Sequence, residues 1–319
     1  MKTQLLYILV SSPADVYLEQ AFVSASSARL RNPSARMLLL ADSDTRIPAQ
    51  LEALFDEIPR VDFPSDVPPM KRSRLLKTGM RGYVEGDFLY IDADTVVARP
   101  LDDVDTIPAP LAACLDLHSS FPEHPHYQAT VNMCKKLGFD AAGEKEYFNS
   151  GVMLVKDTPE NHAFFKEWQK NYLAGYDAGV KPDQPSLAKT NAAQGHPVVR
   201  LEDAWNCEVQ NGVRYLKDAY IVHYMVTNVG SGPQDSLYLL NNRQALLRMR
   251  EAGALTPEIR EVMEDPFKGY APVTQVFAGD DLHLFRTRRY RALRQGYQRG
   301  KWSFAEFILK VLDHLKCRK

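Results

Sequence analysis

Short unbroken apolar runs alternate with amphipathic stretches along the first hundred residues. Residues 5–10 (LLYILV) are apolar without interruption, which predicts a strand covered on both faces. The following SPADVYLEQAFVSASSARLRNP predicts a helix. Ser12 is placed to cap it, Pro13 to take its first position and Asp15 to favour its positive N-terminus, and Pro33 lies past its end. ARMLLLADSD reads as a second buried strand that delivers Asp42 and Asp44 to its C-terminal end. RIPAQLEALFDEI and VPPMKRSRLLKTGMRGYV read as helices, and DFLYIDAD as the next strand. Alternation of this kind predicts β/α units around a mostly parallel sheet.

Further along, LAACLDL, EYFNSGVMLVK and AYIVHYMV are strand-like, the last ending at His223. TPENHAFFKEWQKNYL predicts a helix with Thr158 as cap, Pro159 in the first position, and Phe164, Phe165, Trp168 and Tyr172 as a core-facing stripe. The glycine-rich NVGSGP is expected to close the main α/β unit, residues 1–233, ahead of a helical segment, 234–285, that completes or flanks it. The remainder, 286–319, is a separate tail. There Ser303 and Glu306 form a capping box, Trp302 and Phe307 a hydrophobic staple, and apolar residues recur at helical spacing over 303–316.

With 319 residues, 45% of them apolar and 25% charged, the chain can bury a substantial core. No apolar run approaches the roughly eighteen residues needed to span a bilayer. The apolar start is too short for a signal peptide and reads as the first strand. Four cysteines without paired spacing fit reduced thiols in a cytoplasmic protein better than disulfides or a zinc site. The formal charge of −1 is uneven: the tail carries eleven Lys/Arg against two acids, leaving −10 for the first 285 residues. Basic residues interleaved with Tyr290, Tyr297 and Trp302 suit an anionic membrane surface, which would make the protein peripheral on the inner face of the plasma membrane. The plainer alternative is a tail helix docked on its own domain. An acidic body without an RNA-binding signature argues against nucleic acid.

The chemistry concentrates in GDFLYIDADTVVARPLDD, where an apolar strand delivers Asp92 and Asp94 to the edge at which open α/β sheets bind ligands. Two carboxylates so placed can converge on Mg²⁺ or Mn²⁺; otherwise they cap the next turn. FLYIDADTV resembles the haloacid-dehalogenase-like phosphatases, in which Asp92 would be the phosphoryl-accepting nucleophile and Asp94 the acid/base, with VFAGDD (276–281) as the later acidic motif. Against it, such a nucleophile usually lies on a domain's first strand, whereas here about ninety residues of α/β structure come first.

Four blocks in one order carry a second resemblance. SRLLKTGMRGYVEGDFLYIDADTVVARPLDDV, YFNSGVMLV, KPDQPSLA and IVHYMVTNVGS are similar to the retaining GT-A-fold nucleotide-sugar glycosyltransferases related to glycogenin and bacterial lipooligosaccharide galactosyltransferases. That resemblance implies an α/β GT-A (Rossmann-like) fold with a mixed, mostly parallel central sheet and a helical C-terminal extension. It implies that Asp92, Asp94 and His223 hold Mn²⁺ (or Mg²⁺) with the diphosphate of a nucleotide sugar. By the same resemblance Arg74 touches the donor sugar and diphosphate, with Arg72 as competitor. Val10, Ser11, Ser12, Tyr17 and Ala93 belong to the nucleotide seat, and Asn149, Asp183 and Gln184 surround the reacting sugar. Ser11 stands where the family often has a base-reading Asp, Ala188 where Asn is frequent, and TNVGSG where G-x-x-K-P-W is expected. Trp205-Asn206 resembles a pair near the acceptor. The implied activity is transfer of a hexose, UDP-linked in the donor, to a glycan or glycolipid hydroxyl in bacterial surface polysaccharide synthesis. The alternatives are the phosphatase and a catalytically idle sugar-nucleotide-binding paralogue. A pyrophosphorylase would need a glycine-rich loop after the first strand, which is missing.

Overall fold

The computed structural model describes residues 1–209, 215–225, 240, 242–267, 287, 288 and 290. The boundary expected near residue 233, the TNVGSG and VFAGDD stretches and the tail helix 303–316 lie outside the described residues. Among the described residues no helix is long and apolar enough to cross a membrane.

The strands are β1 (Gln4–Leu9), β2 (Met37–Asp42), β3 (Arg60–Val61), β4 (Phe88–Ile91), β5 (Thr95–Val97), β6 (Leu111–Leu115), β7 (Phe148–Val155), β8 (Val199–Arg200), β9 (Cys207–Glu208) and β10 (Ile221–His223). A seven-stranded sheet has the order β3-β2-β1-β4-β7-β6-β8. All its pairings are parallel except those of β7, which runs against both β4 and β6. A second sheet, β5-β10-β9, stands beside it. The helices are α1 (Tyr17–Arg31), α2 (Ala49–Glu52), α3 (Pro69–Gly79), α4 (Tyr127–Lys136), α5 (Pro159–Asp177), α6 (Gln184–Ala193), α7 (Arg243–Ala252) and α8 (Pro257–Glu264).

The continuous apolar runs serve two cores. Leu5, Tyr7 and Leu9 pack with α1 on one face of the sheet, while Leu6 and Ile8 pack on the other with Leu76 of α3 and Phe164, Phe165 and Trp168 of α5. Thr158 caps α5 by accepting from the Asn161 backbone N–H at 3.2 Å. Helices α7 and α8 bury Leu246, Met249, Ile259 and Met263 in a third core with residues of α1 and the small sheet.

Two expectations need correction. Helix α1 begins at Tyr17 rather than at Pro13, so Ser12 caps no helix. The Asp15 carboxylate accepts from the backbone N–H groups of Ser12 (2.8 Å) and Tyr17 (3.1 Å) and from the Ser11 hydroxyl (2.6 Å), which fixes the segment as a turn. The second predicted helix shrinks to the single turn of α2. Helices α4 and α6 went unpredicted; α6 buries polar Ser186, Thr190 and Asn191 as well as Leu187 and so lacks an apolar stripe.

Candidate active site

Asp92 and Asp94 occupy the link between the two sheets. Asp92 prolongs β4 by one residue, its backbone N–H donating to Gly151 O at 2.7 Å. The chain then turns, with the Thr95 hydroxyl donating to Asp92 O at 2.9 Å, and enters β5. Strand β10 pairs antiparallel with β5 so that His223 lies opposite Thr95, and Tyr224 N–H donates to Asp94 O at 3.0 Å. This register brings one ligand atom from each of Asp92, Asp94 and His223 within 4.8 Å of one another. Two carboxylate oxygens and an imidazole nitrogen form a donor set suited to Mn²⁺ or Mg²⁺. The room beside them depends on Gly151. A Cβ there would lie 2.5 Å from His223 Cε1, 2.8 Å from Asn149 Oδ1 and 2.9 Å from Asp92 Oδ2. The residues therefore fit a divalent cation.

His223 Nε2 lies 3.1 Å from Asp94 Oδ1. Burial works against its charge, but the Asp94 carboxylate outweighs burial and raises its pKa. Nε2 is the ring nitrogen turned towards the carboxylates. Which nitrogen faces the site is set by a directed chain of hydrogen bonds. Gly151 N–H donates to Asn149 Oδ1 at 2.7 Å, which leaves the Asn149 amide nitrogen to donate to Asp116 Oδ1 at 2.8 Å. Asn206 Nδ2 donates to Asn149 Oδ1 at 3.0 Å, so Asn206 Oδ1 accepts from His223 Nδ1 at 2.8 Å. Because the first donor is a backbone N–H, each later amide has one orientation, and Nδ1 carries the proton.

Asp116 anchors this chain. Its carboxylate also accepts from Gln184 Nε2 at 2.8 Å and from His124 Nε2 at 2.7 Å, the latter protonated because His124 Nδ1 accepts from His126 N–H. Burial penalises the charge, yet His124, Asn149 and Gln184 hold the Asp116 carboxyl below the ordinary range. Gln184 gives its other proton to Phe148 O at 3.3 Å, so its carbonyl oxygen is the group it can offer a ligand.

Asp183, just before α6, is 3% exposed. Its oxygens meet Arg74 Nε at 3.1 Å, the Ser150 hydroxyl at 2.7 Å and Lys77 Nζ at 3.9 Å. Burial again opposes the charge, but Arg74 first, then Lys77 and Ser150, outweigh it and keep Asp183 ionised. Arg72, the competitor for the role of Arg74, is turned elsewhere, bonding Asp42 and Asp44.

A cleft of about 230 Å³ lies against this cluster, lined by Val10, Asp15, Tyr17, Arg74, Tyr90, Asp92, Ala93 and Asp94 among others. Ser11 and Ser12 bond Asp15 rather than line the cleft. Asn149, Asp183, Gln184 and His223 stand behind its carboxylate end. Asp116, His124 and Lys77 join the site without a place among the residues expected there, and Asn206 enters it as the acceptor for His223 rather than through its acceptor-side resemblance alone. Asp116 carried a signal, an acid at the C-terminal end of an apolar strand.

No protein-family model matches this sequence, and no curated protein matches it. Solved structures do. The galactosyltransferase LgtC in complex with donor and acceptor sugar analogues is similar at 19% identity and TM-score 0.51, over 84% of this chain and 99% of that one. An active-site mutant of LgtC matches with the same figures. The bifunctional glycosyltransferase WbbM, in apo form, is similar at 14% identity and TM-score 0.53, over 82% of this chain and 51% of that one. The fold is therefore the GT-A fold, with its mixed, mostly parallel sheet. It sets aside the phosphatase expectation: Asp92 follows the fourth strand of a GT-A sheet, not the first strand of a phosphatase domain.

Proposed function

We propose that this chain is a metal-dependent, retaining glycosyltransferase that moves a hexose from a nucleotide diphosphate sugar, UDP-linked, to a hydroxyl of a glycan or glycolipid acceptor. The observation that carries this reading is the convergence of Asp92, Asp94 and His223 at the end of a cleft whose other walls include Tyr17 and Arg74. Mn²⁺ or Mg²⁺ held by these three would stabilise the charge that develops on the departing diphosphate. Val10, Tyr17 and Ala93 then seat the nucleoside, and Arg74 reaches towards the diphosphate from α3.

Retention of configuration fits the residues behind the cleft. Gln184 is a neutral amide with both protons in use, so it offers a carbonyl oxygen to an oxocarbenium-like sugar and is a poor nucleophile. Asp183 has both oxygens paired, with Arg74 and Ser150, which draws on their charge and lowers their nucleophilicity towards carbon. Asn149 is locked by Gly151 and Asp116 and positions rather than reacts. These features favour same-face displacement over a covalent intermediate. The basic, aromatic tail supports an anionic membrane surface, where bacterial glycolipid acceptors are presented.

The test is a Mn²⁺-dependent hydrolysis screen over a panel of nucleotide sugars. One donor should be turned over, and Asp94→Asn should lower that rate about a hundredfold. Donor binding without turnover would instead identify an idle paralogue. Turnover of phosphate monoesters through an aspartyl-phosphate at Asp92 would sink the transferase reading.

A further inference from the structure

Lys77 has entered so far only as a distant partner of Asp183. It lies on α3, three residues after Arg74, and its side chain is 3% exposed. Its ammonium lies 3.0 and 3.1 Å from the two carboxylate oxygens of Asp92, 3.9 Å from Asp183 and 5.1 Å from the centre of the Tyr90 ring. Tyr90 adds its hydroxyl to the same Asp92 oxygen that Lys77 bonds more closely. An ammonium so removed from water is held by the carboxylates it neutralises.

We propose that Lys77 is a resident counter-cation that occupies Asp92 in the free protein, so that a divalent cation is taken up jointly with a nucleoside diphosphate and not ahead of it. This rests on the metal-site reading above. The argument is one of charge and of coordination. Arg74 and Lys77 already balance Asp183 and Asp92, so of the three proposed ligands only Asp94, beside His223, adds further negative charge to draw in a dication. Both Asp92 oxygens are engaged before any metal arrives, and a dication bound there would sit beside the Lys77 ammonium. A diphosphate supplies the missing negative charge. It can take over the Lys77 ammonium as a phosphate partner and release Asp92 to the metal. Cation and nucleotide then strengthen each other's binding by the same factor, as linkage requires.

Mn²⁺ binding to the full chain, followed by the electron paramagnetic resonance of free Mn²⁺, tests this with and without UDP, GDP or ADP. The wild-type protein should bind Mn²⁺ weakly by itself and at least tenfold more tightly with one of the diphosphates. Lys77→Met should bind Mn²⁺ alone at least tenfold more tightly than wild type and gain less from the nucleotide, while Lys77→Arg, which keeps the charge, should behave as wild type. Circular dichroism checks folding, with Lys77→Gln replacing the methionine variant if that one unfolds. Mn²⁺ binding by Lys77→Met or Lys77→Gln no tighter than wild type overturns the proposal, as does wild-type Mn²⁺ affinity indifferent to all three nucleotides. Asp94→Asn separates the two ideas. If it leaves every Mn²⁺ affinity unchanged, the metal site itself is misassigned. If it abolishes binding while the Lys77 variants do nothing, only the counter-cation role fails.

Discussion

A single methyl group added at Gly151 would enter the centre of the site. The glycine is buried in β7, where its carbonyl receives the Asp92 N–H, and its backbone lies within the range of ordinary residues, so Gly151→Ala strains no torsion angle. What it strains is space. At 2.5 Å from the new Cβ, His223 Cε1 would have to retreat by roughly 1 Å to regain normal carbon–carbon contact, and Asn149 and Asp92 by somewhat less. Overpacking of this kind costs about 1–3 kcal/mol of stability, which the rest of the fold can absorb. A 1 Å displacement of a catalytic group lowers rates by about a hundredfold. Gly151→Ala should therefore melt cooperatively a few degrees below wild type, yet lose most Mn²⁺ affinity in the presence of nucleotide and about a hundredfold in donor hydrolysis. If the Gly151→Ala protein binds Mn²⁺ and turns over donor like wild type, the three residues do not converge as described and the proposed metal site falls with them.

Two further outcomes separate neighbouring residues by role. Arg74→Ala should weaken nucleotide-sugar binding tenfold or more and also lower the urea midpoint, because buried Asp183 is left with only Lys77 and Ser150, whereas Arg72→Ala should leave Asp42 as a buried, poorly compensated charge, cost about 3 kcal/mol in urea unfolding and spare nucleotide-sugar binding. Asp116→Asn should cost about 1–3 kcal/mol at neutral pH by removing an acceptor shared by three donors. Since the folded-state pKa of Asp116 lies below the ordinary carboxyl value, its contribution is complete above about pH 4 and is lost as pH falls through the folded value. The difference in urea midpoint between wild type and Asp116→Asn should narrow over that acid range and not above it.

The parts of this molecule that could be read from sequence are those whose cause is local. Residues 5–10 announce a doubly covered strand because each apolar side chain has a core to enter, and α5 announces itself through Thr158, Pro159 and an aromatic stripe. The D-x-D pair was legible because two acids at the end of an apolar strand need a partner. The direction of β7 was not, since apolar alternation reads the same either way along a strand. Yet that direction sets Asn149 beside the end of β4. Lys77 carried no signal in the sequence because its two acidic partners lie 15 and 106 residues away. Ser12 and Pro13 have the composition of a helix start, and a side-chain acceptor at Asp15 captured the N–H groups first.

The hydrogen-bond chain from Gly151 through Asn149 and Asn206 to His223 bears on inheritance. Each member has one orientation once its neighbour is fixed, so the positions cannot drift separately. An aspartate at 206 could still accept from His223 but could no longer donate to Asn149, and a histidine at 149 would present the wrong atoms to both neighbours. Lineages that keep a metal-binding imidazole at 223 should keep this set together or exchange it as a block, and covariation among 116, 149, 206 and 223 is where descent would record the site.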